Sequence, residues 1–154
     1  MVVEDVEHLR LVQTMQAFTV ASDNALTIAI EVTDSKGYQQ NLVALVDSGA
    51  SGIFMNTLTA ERMKLKQSLL QNPIRLLMAD GTASADGCIT KGINNHALTI
   101  LNHVEQVSFL VTCIPGYDVV LGMSWLQKNN PIIDWVERSI KFPKSRLLAT
   151  SNCI

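Results

Sequence analysis

The chain has 154 residues, a formal net charge of −2 and an apolar fraction of 47%, which fits one globular domain with a substantial core. No basic run is present, so charge makes no case for a nucleic-acid partner, and no apolar stretch approaches the ~18 residues of a membrane span. Three widely spaced cysteines, Cys88, Cys113 and Cys153, argue against a disulfide framework and for a reducing compartment; with His8, His96 and His103 they lack metal-ligand spacing.

Residues 1–17 mix polar and apolar positions and read as a short helix or a leader, ahead of a domain over 18–143 and a linker over 144–154. Leu26, Ile28, Ile30 and Val32 alternate with Thr27, Ala29, Glu31 and Thr33, the period of a strand with one buried face. Asp34-Ser35-Lys36-Gly37 supplies the turn into a second strand. That strand ends in Leu42-Val43-Ala44-Leu45-Val46, a continuous apolar run that predicts burial on both faces. It delivers Asp47 to a tight loop before Ile53-Phe54-Met55 turns apolar again. An ionisable side chain in such a place is paired or put to use. Ser48 can donate a hydroxyl hydrogen bond, and Gly49 permits a positive-φ turn and a close approach by another group.

After Met55, Thr57 or Thr59 is expected to cap a short helix, with Glu61 in its first turn, and Pro73 blocks its extension. A strand follows over 74–78. Residues 79–87 read as a hairpin of small residues with two turn-forming pairs, Asp80-Gly81 and Asp86-Gly87. Short strands are expected over 88–93 and 97–101, then a longer one over 104–113 with Val107, Phe109, Val111 and Cys113 inward. Pro115-Gly116 is a turn. Val119-Val120-Leu121-Gly122 is a second buried run ending in glycine. A helix over 123–128 stops at Asn129-Asn130-Pro131, and residues 132–135 and 139–142 close the domain as a hairpin. Many short strands at this turn spacing indicate an all-β barrel or sandwich.

Leu45-Val46-Asp47-Ser48-Gly49-Ala50-Ser51 resembles the active-site loop of retroviral-type aspartic proteases. Asp118-Val119-Val120-Leu121-Gly122-Met123-Ser124-Trp125-Leu126, followed by Asn130-Pro131-Ile132-Ile133-Asp134-Trp135, is similar to the end of the protease domain in gypsy-type LTR retrotransposon polyproteins. That group commonly has Asp after Leu-Gly-Met, where this chain has Ser124, outside the catalytic loop. The resemblance implies an all-β, closed, barrel-like retropepsin fold with one or two short helices, working as a two-fold homodimer. It implies Asp47 as the catalytic residue and Ser48, Gly49 and Ala50 as the active-site loop. Ser48 would bond across the dimer and Ala50 would border the substrate. Met78, Ala79, Asp80, Gly81 and Thr82 would form a flap over the substrate. Val120, Leu121 and Gly122 would form a second motif near the active site, and Ile53, Met78 and Val120 are candidate subsite walls.

Peptide hydrolysis by a bare water needs one carboxylate to take a proton and one carboxylic acid to polarise the carbonyl. The chain has one Asp-Ser/Thr-Gly: Asp34-Ser35-Lys36 lacks the glycine, and Asp80-Gly81 and Asp86-Gly87 lack the hydroxyl. The missing carboxyl therefore has to come from a second copy, and a two-fold axis brings Asp47 to Asp47. The expected activity is that of an aspartic endopeptidase acting on an extended polypeptide and processing a retrotransposon Gag-Pol polyprotein. It would work in the cytoplasm or within virus-like particles, without metal or other cofactor. The alternative is a catalytically silent, domesticated module for dimerisation or peptide binding.

Overall fold

The structure, a computed structural model, describes residues 25–77 and 83–143. Six strands close on themselves in the order β1-β2-β7-β3-β6-β5, with β5 pairing back to β1; β4 lies outside on β5. The strands are β1 (Thr27–Thr33), β2 (Gln39–Val46), β3 (Ile53–Asn56), β4 (Ser68–Leu77), β5 (Ala83–Ile100), β6 (His103–Thr112) and β7 (Val119–Leu121). Helix α1 (Thr57–Arg62) follows β3 and α2 (Met123–Asn129) follows β7; β8 (Ile132–Asp134) and β9 (Ser139–Lys141) form a separate two-stranded sheet. No helix among the described residues is long and apolar enough to cross a membrane.

The β1–β2 hairpin is built as its turn residues dictate. Asp34 Oδ1 accepts from the amides of Lys36 and Tyr38, both at 2.9 Å, and Gly37 takes the left-handed φ of +89° that a side chain would resist. The Tyr38 amide chiefly holds the Asp34 carboxyl below its ordinary range. Along β2 the apolar run splits by parity. Leu42, Ala44 and Val46 enter the larger core, whereas Leu45 enters a smaller outer core with Ala50, Phe54, Ile89, Ile114 and Val120. Val43 is 47% exposed, against the expectation of burial on both faces. Its parity is that of the outer face, which the smaller core covers at Leu45.

Several boundaries differ from the sequence expectation. The cap of α1 is Asn56, whose side chain accepts from Leu58 N; Thr57 and Thr59 lie inside the helix, and its first turn has no acid. Pro73 lies within β4, in a stretch where the β4–β5 register shifts, so the proline is absorbed at an irregularity where no ladder donor is needed. The two expected strands over 88–93 and 97–101 are one strand, β5, interrupted by a register shift between Ile93 and His96 where Asn95 has φ +45°. Cys113 is exposed because β6 ends at Thr112; the next buried residue is Ile114, 1% exposed.

Helix α2 fixes the closing segment. Trp125 is fully buried and meets Phe142 edge-on, while His103 stacks on the same ring at 4.2 Å. Glu105, on β6, accepts from His103 Nε2 at 2.6 Å and from Asn129 Nδ2 at 3.4 Å. These contacts seat the C-terminal end of α2 against the start of β6. The left-handed cap at Asn130, φ +41°, then turns the chain towards β8.

Candidate active site

Asp47 follows the last residue of β2. Its amide donates to Leu121 O at 3.0 Å, and its carbonyl accepts from Ala50 N at 3.2 Å, closing a short turn. The carboxylate Oδ1 accepts from the Gly49 amide at 2.8 Å. The other oxygen, Oδ2, is buried without a partner; among the described residues the Trp125 indole Nε1, a neutral donor, is the other such atom. Asp47 as a whole is 8% exposed. Burial pushes its carboxyl above the ordinary range, opposed in part by the Gly49 N–H, because desolvation penalises the charged form.

The loop that carries Asp47 is held from beneath by the second motif. Three successive amides donate to three loop carbonyls: Gly122 N to Gly52 O at 2.9 Å, Met123 N to Ala50 O at 2.6 Å, and Ser124 N to Ser51 O at 3.0 Å. These are amides at the N-terminal end of α2, which the helix itself leaves unsatisfied; no side chain caps that end. The loop therefore completes the helix, and the helix fixes the loop. The approach requires glycine at 122. A Cβ there would lie 2.3 Å from Gly52 O and 2.5 Å from Ala50 O. Ser124 contributes through its amide, so the departure from Asp at this position leaves the attachment intact. An acid there would add only the interaction with the helix dipole, ~0.3–1 kcal/mol at an exposed site.

The other end of β7 is pinned by Asp118, the first residue of the second motif, and by Asn56, to neither of which the sequence assigns a partner. Asp118 Oδ1 accepts from Thr59 Oγ1 at 2.7 Å and Oδ2 accepts from Val43 N at 3.0 Å. The Asp118 amide donates to Val43 O at 3.1 Å, and its carbonyl accepts from Asn56 N at 2.8 Å. Asn56 Nδ2 donates in turn to Ile114 O and Tyr117 O, at 2.8 and 3.1 Å. Asp118 and Asn56 thus tie β2, α1 and the β6–β7 connection into one corner. The available signal was two polar residues bordering apolar strands, which by itself names no partner.

The expected site residues are distributed as follows. Ser48 is exposed, Gly49 is partly exposed and Ala50 is 1% exposed. Gly49 is absent from the positive-φ residues, so this turn does not use the conformational freedom expected of it. The Ala50 side chain belongs to the outer core. Val120 and Leu121 are fully buried, Val120 in the outer core and Leu121 in the larger one; Ile53 is partly buried against the larger core. Leu121 and Gly122 reach the site through their backbone. The flap residues Met78, Ala79, Asp80, Gly81 and Thr82 lie outside the described residues, between the paired ends Leu77 and Ala83. Among the described residues no group of three or more His, Cys, Asp or Glu could hold a metal ion.

A sequence model of the PEG10/RTL1 protease domain matches residues 43–153, a span containing both the Asp47 loop and the strand and helix that brace it. The chain belongs to that family. Two solved structures resemble this PEG10/RTL1-type domain. The retroviral protease-like domain of Ddi1 from Leishmania major superposes with a TM-score of 0.53 at 21% identity, covering 77% of this chain and 86% of that one. EIAV protease, solved with the inhibitor HBY-793, gives a TM-score of 0.47 at 18% identity, covering 66% and 85%. The fold of the PEG10/RTL1-type domain is retroviral protease-like: mostly β, a closed barrel with two helices.

Proposed function

We propose that this domain is half of an aspartic endopeptidase, completed when two copies meet and each contributes Asp47. The observation that carries the proposal is the buried, unpartnered Oδ2 of Asp47 on a loop braced by backbone hydrogen bonds. A buried carboxylate oxygen without a partner is costly. A protonated carboxyl facing it across a two-fold axis would offset that cost. Two charges ~3 Å apart at an effective dielectric of ~20 repel by about 5 kcal/mol, so one of the two carboxyls keeps its proton while the other ionises. This dyad is the general pattern of aspartic proteases.

In the proposed reaction the ionised Asp47 takes a proton from water as the oxygen attacks the scissile carbonyl. The protonated Asp47 donates to the carbonyl oxygen. A proton then passes to the leaving nitrogen as the carbon–nitrogen bond breaks, and the carboxyl roles exchange. The Gly49 N–H bond at Oδ1 fixes the carboxylate plane and leaves Oδ2 for the partner and the water. The substrate is an extended polypeptide held by main-chain hydrogen bonds. Its biological source is a retroelement polyprotein, which the likeness of residues 118–126 to gypsy-type polyproteins supports.

The test is cleavage of a peptide library at mildly acid pH by the wild type and by Asp47→Asn. The expected result is cleavage by the wild type and a loss of about 10³-fold in the variant, the scale of acid–base catalysis. Cleavage that survives the substitution contradicts the proposal. A silent wild type with no affinity for a statine-type transition-state mimic would instead point to a non-enzymatic dimerisation or peptide-binding module.

A further inference from the structure

A concave region has a lining that includes neither Asp47 nor its loop. The β1–β2 turn, the segment leaving α1, the start of β4 and the register shift in β5 enclose a cleft of about 550 Å³. Its polar lining combines Lys64, Lys66, Ser35, Ser68, Asn94 and His96. Both lysines are exposed. Lys64 has φ +53° just past the end of α1, where glycine is the usual residue. His96 Nε2 lies 2.5 Å from Thr33 O. A carbonyl only accepts, so Nε2 carries the proton and Nδ1 is the ring's other polar atom.

The carboxylate at this cleft is Asp34, and its oxygens are turned to its own hairpin: Oδ1 accepts from Lys36 N and Tyr38 N, and Oδ2 from Gln40 Nε2 at 3.0 Å. Against one acceptor, His96 Nδ1, there remains a surplus of donors: two ammonium groups, two hydroxyls and an amide. This set complements a dianion with several acceptor oxygens. We propose that the cleft at the foot of the β4–β5 ribbon binds a phosphate monoester. The volume exceeds that of a bare phosphate, leaving room for the group that carries the ester. The site is separate from the proposed catalytic carboxylate and does not depend on peptidase activity.

The experiment is titration of the ¹⁵N-labelled chain at neutral pH with inorganic phosphate, phenyl phosphate and a phosphoserine peptide, following the amides of Lys66, Asn94 and His96. Phenyl phosphate or the phosphopeptide is expected to give saturable shifts there; the tighter of the two identifies a small-molecule or a protein-borne ester. Lys64→Gln with Lys66→Gln should weaken binding at least about tenfold, as expected for losing charge-assisted hydrogen bonds, with an unchanged melting temperature because both side chains are exposed. Asp34→Asn, which removes the opposing charge and keeps an oxygen for its turn, should tighten binding by about threefold. Shifts that do not saturate, equal binding by the double lysine variant, or equal binding of benzoate and phenyl phosphate would overturn the proposal.

Discussion

Asp47 and Asp118 are both close to the short strand β7, and they are partnered in opposite ways. Asp118, just before its first residue, spends both carboxylate oxygens on the fold, taking Thr59 Oγ1 on one and Val43 N on the other. Asp47, bonded through its amide to the last residue of that strand, has one oxygen on Gly49 N and the other buried with no partner. A fully partnered carboxylate is a structural tie. One that is buried, raised in pKa and half-satisfied has an oxygen that the described residues of its own chain leave unpaired. The difference also explains the order of construction. Asp118 and Asn56 lock one end of β7, and Gly122 with the first amides of α2 locks the other, so the loop bearing Asp47 is attached to the fold without any partner for Oδ2.

The sharpest way to break the structural half of this contrast is Gly122→Ala. The added Cβ would sit 2.3 Å from a backbone oxygen; neither the loop nor the strand can yield cheaply, and a loss of about 3 kcal/mol or more, or failure to fold, is expected in denaturant unfolding. Asp118→Ala should cost less, about 2–3 kcal/mol, because it strands the buried Thr59 hydroxyl and the Val43 amide. The same measurement checks it, and a change within about 0.5 kcal/mol would demote Asp118 to a surface residue.

Asp47→Asn should move stability the other way. The native carboxyl binds its proton more tightly than the unfolded one, since burial raises its pKa from 3.8. The folded chain therefore holds the extra proton as pH rises from about the unfolded value to the native one. Stability falls across that window and stays lower above it. Asparagine removes the charge and keeps an acceptor for Gly49 N, so at pH 7 the variant should melt a few degrees higher, with the gap closing as the pH is lowered. This holds at concentrations where the chain is monomeric; a variant that melts lower there at pH 7 would mean that Oδ2 is satisfied within the single chain.

The contrast between the two aspartates also marks what the sequence could tell. Asp47 and Gly122 were readable because each ends a buried apolar run at a turn, a local pattern with few explanations. The barrel was readable from strand periodicity. Asp118 and Asn56 were not, because their partners lie far away in sequence, Val43 and Thr59 for one and Ile114 and Tyr117 for the other. Val43 looked buried because an unbroken apolar run does not say where a covering layer stops. Pro73 looked like a barrier and lies in a bulged strand, and β5 looked like two strands because Asn94-Asn95 reads as a turn when it is an irregularity within a continuing ladder. Gly49 permits a left-handed conformation that the turn does not adopt.

The central claim is that each working site draws one Asp47 from each of two chains, and co-refolding tests it most directly. Wild-type chain mixed with about a ninefold excess of Asp47→Asn chain, denatured together and refolded, should show peptidase activity per wild-type chain reduced about tenfold, because a wild-type chain then seldom meets another on the two-fold axis. Activity per wild-type chain that is unchanged by the excess would contradict the account, since it would mean that one Asp47 suffices.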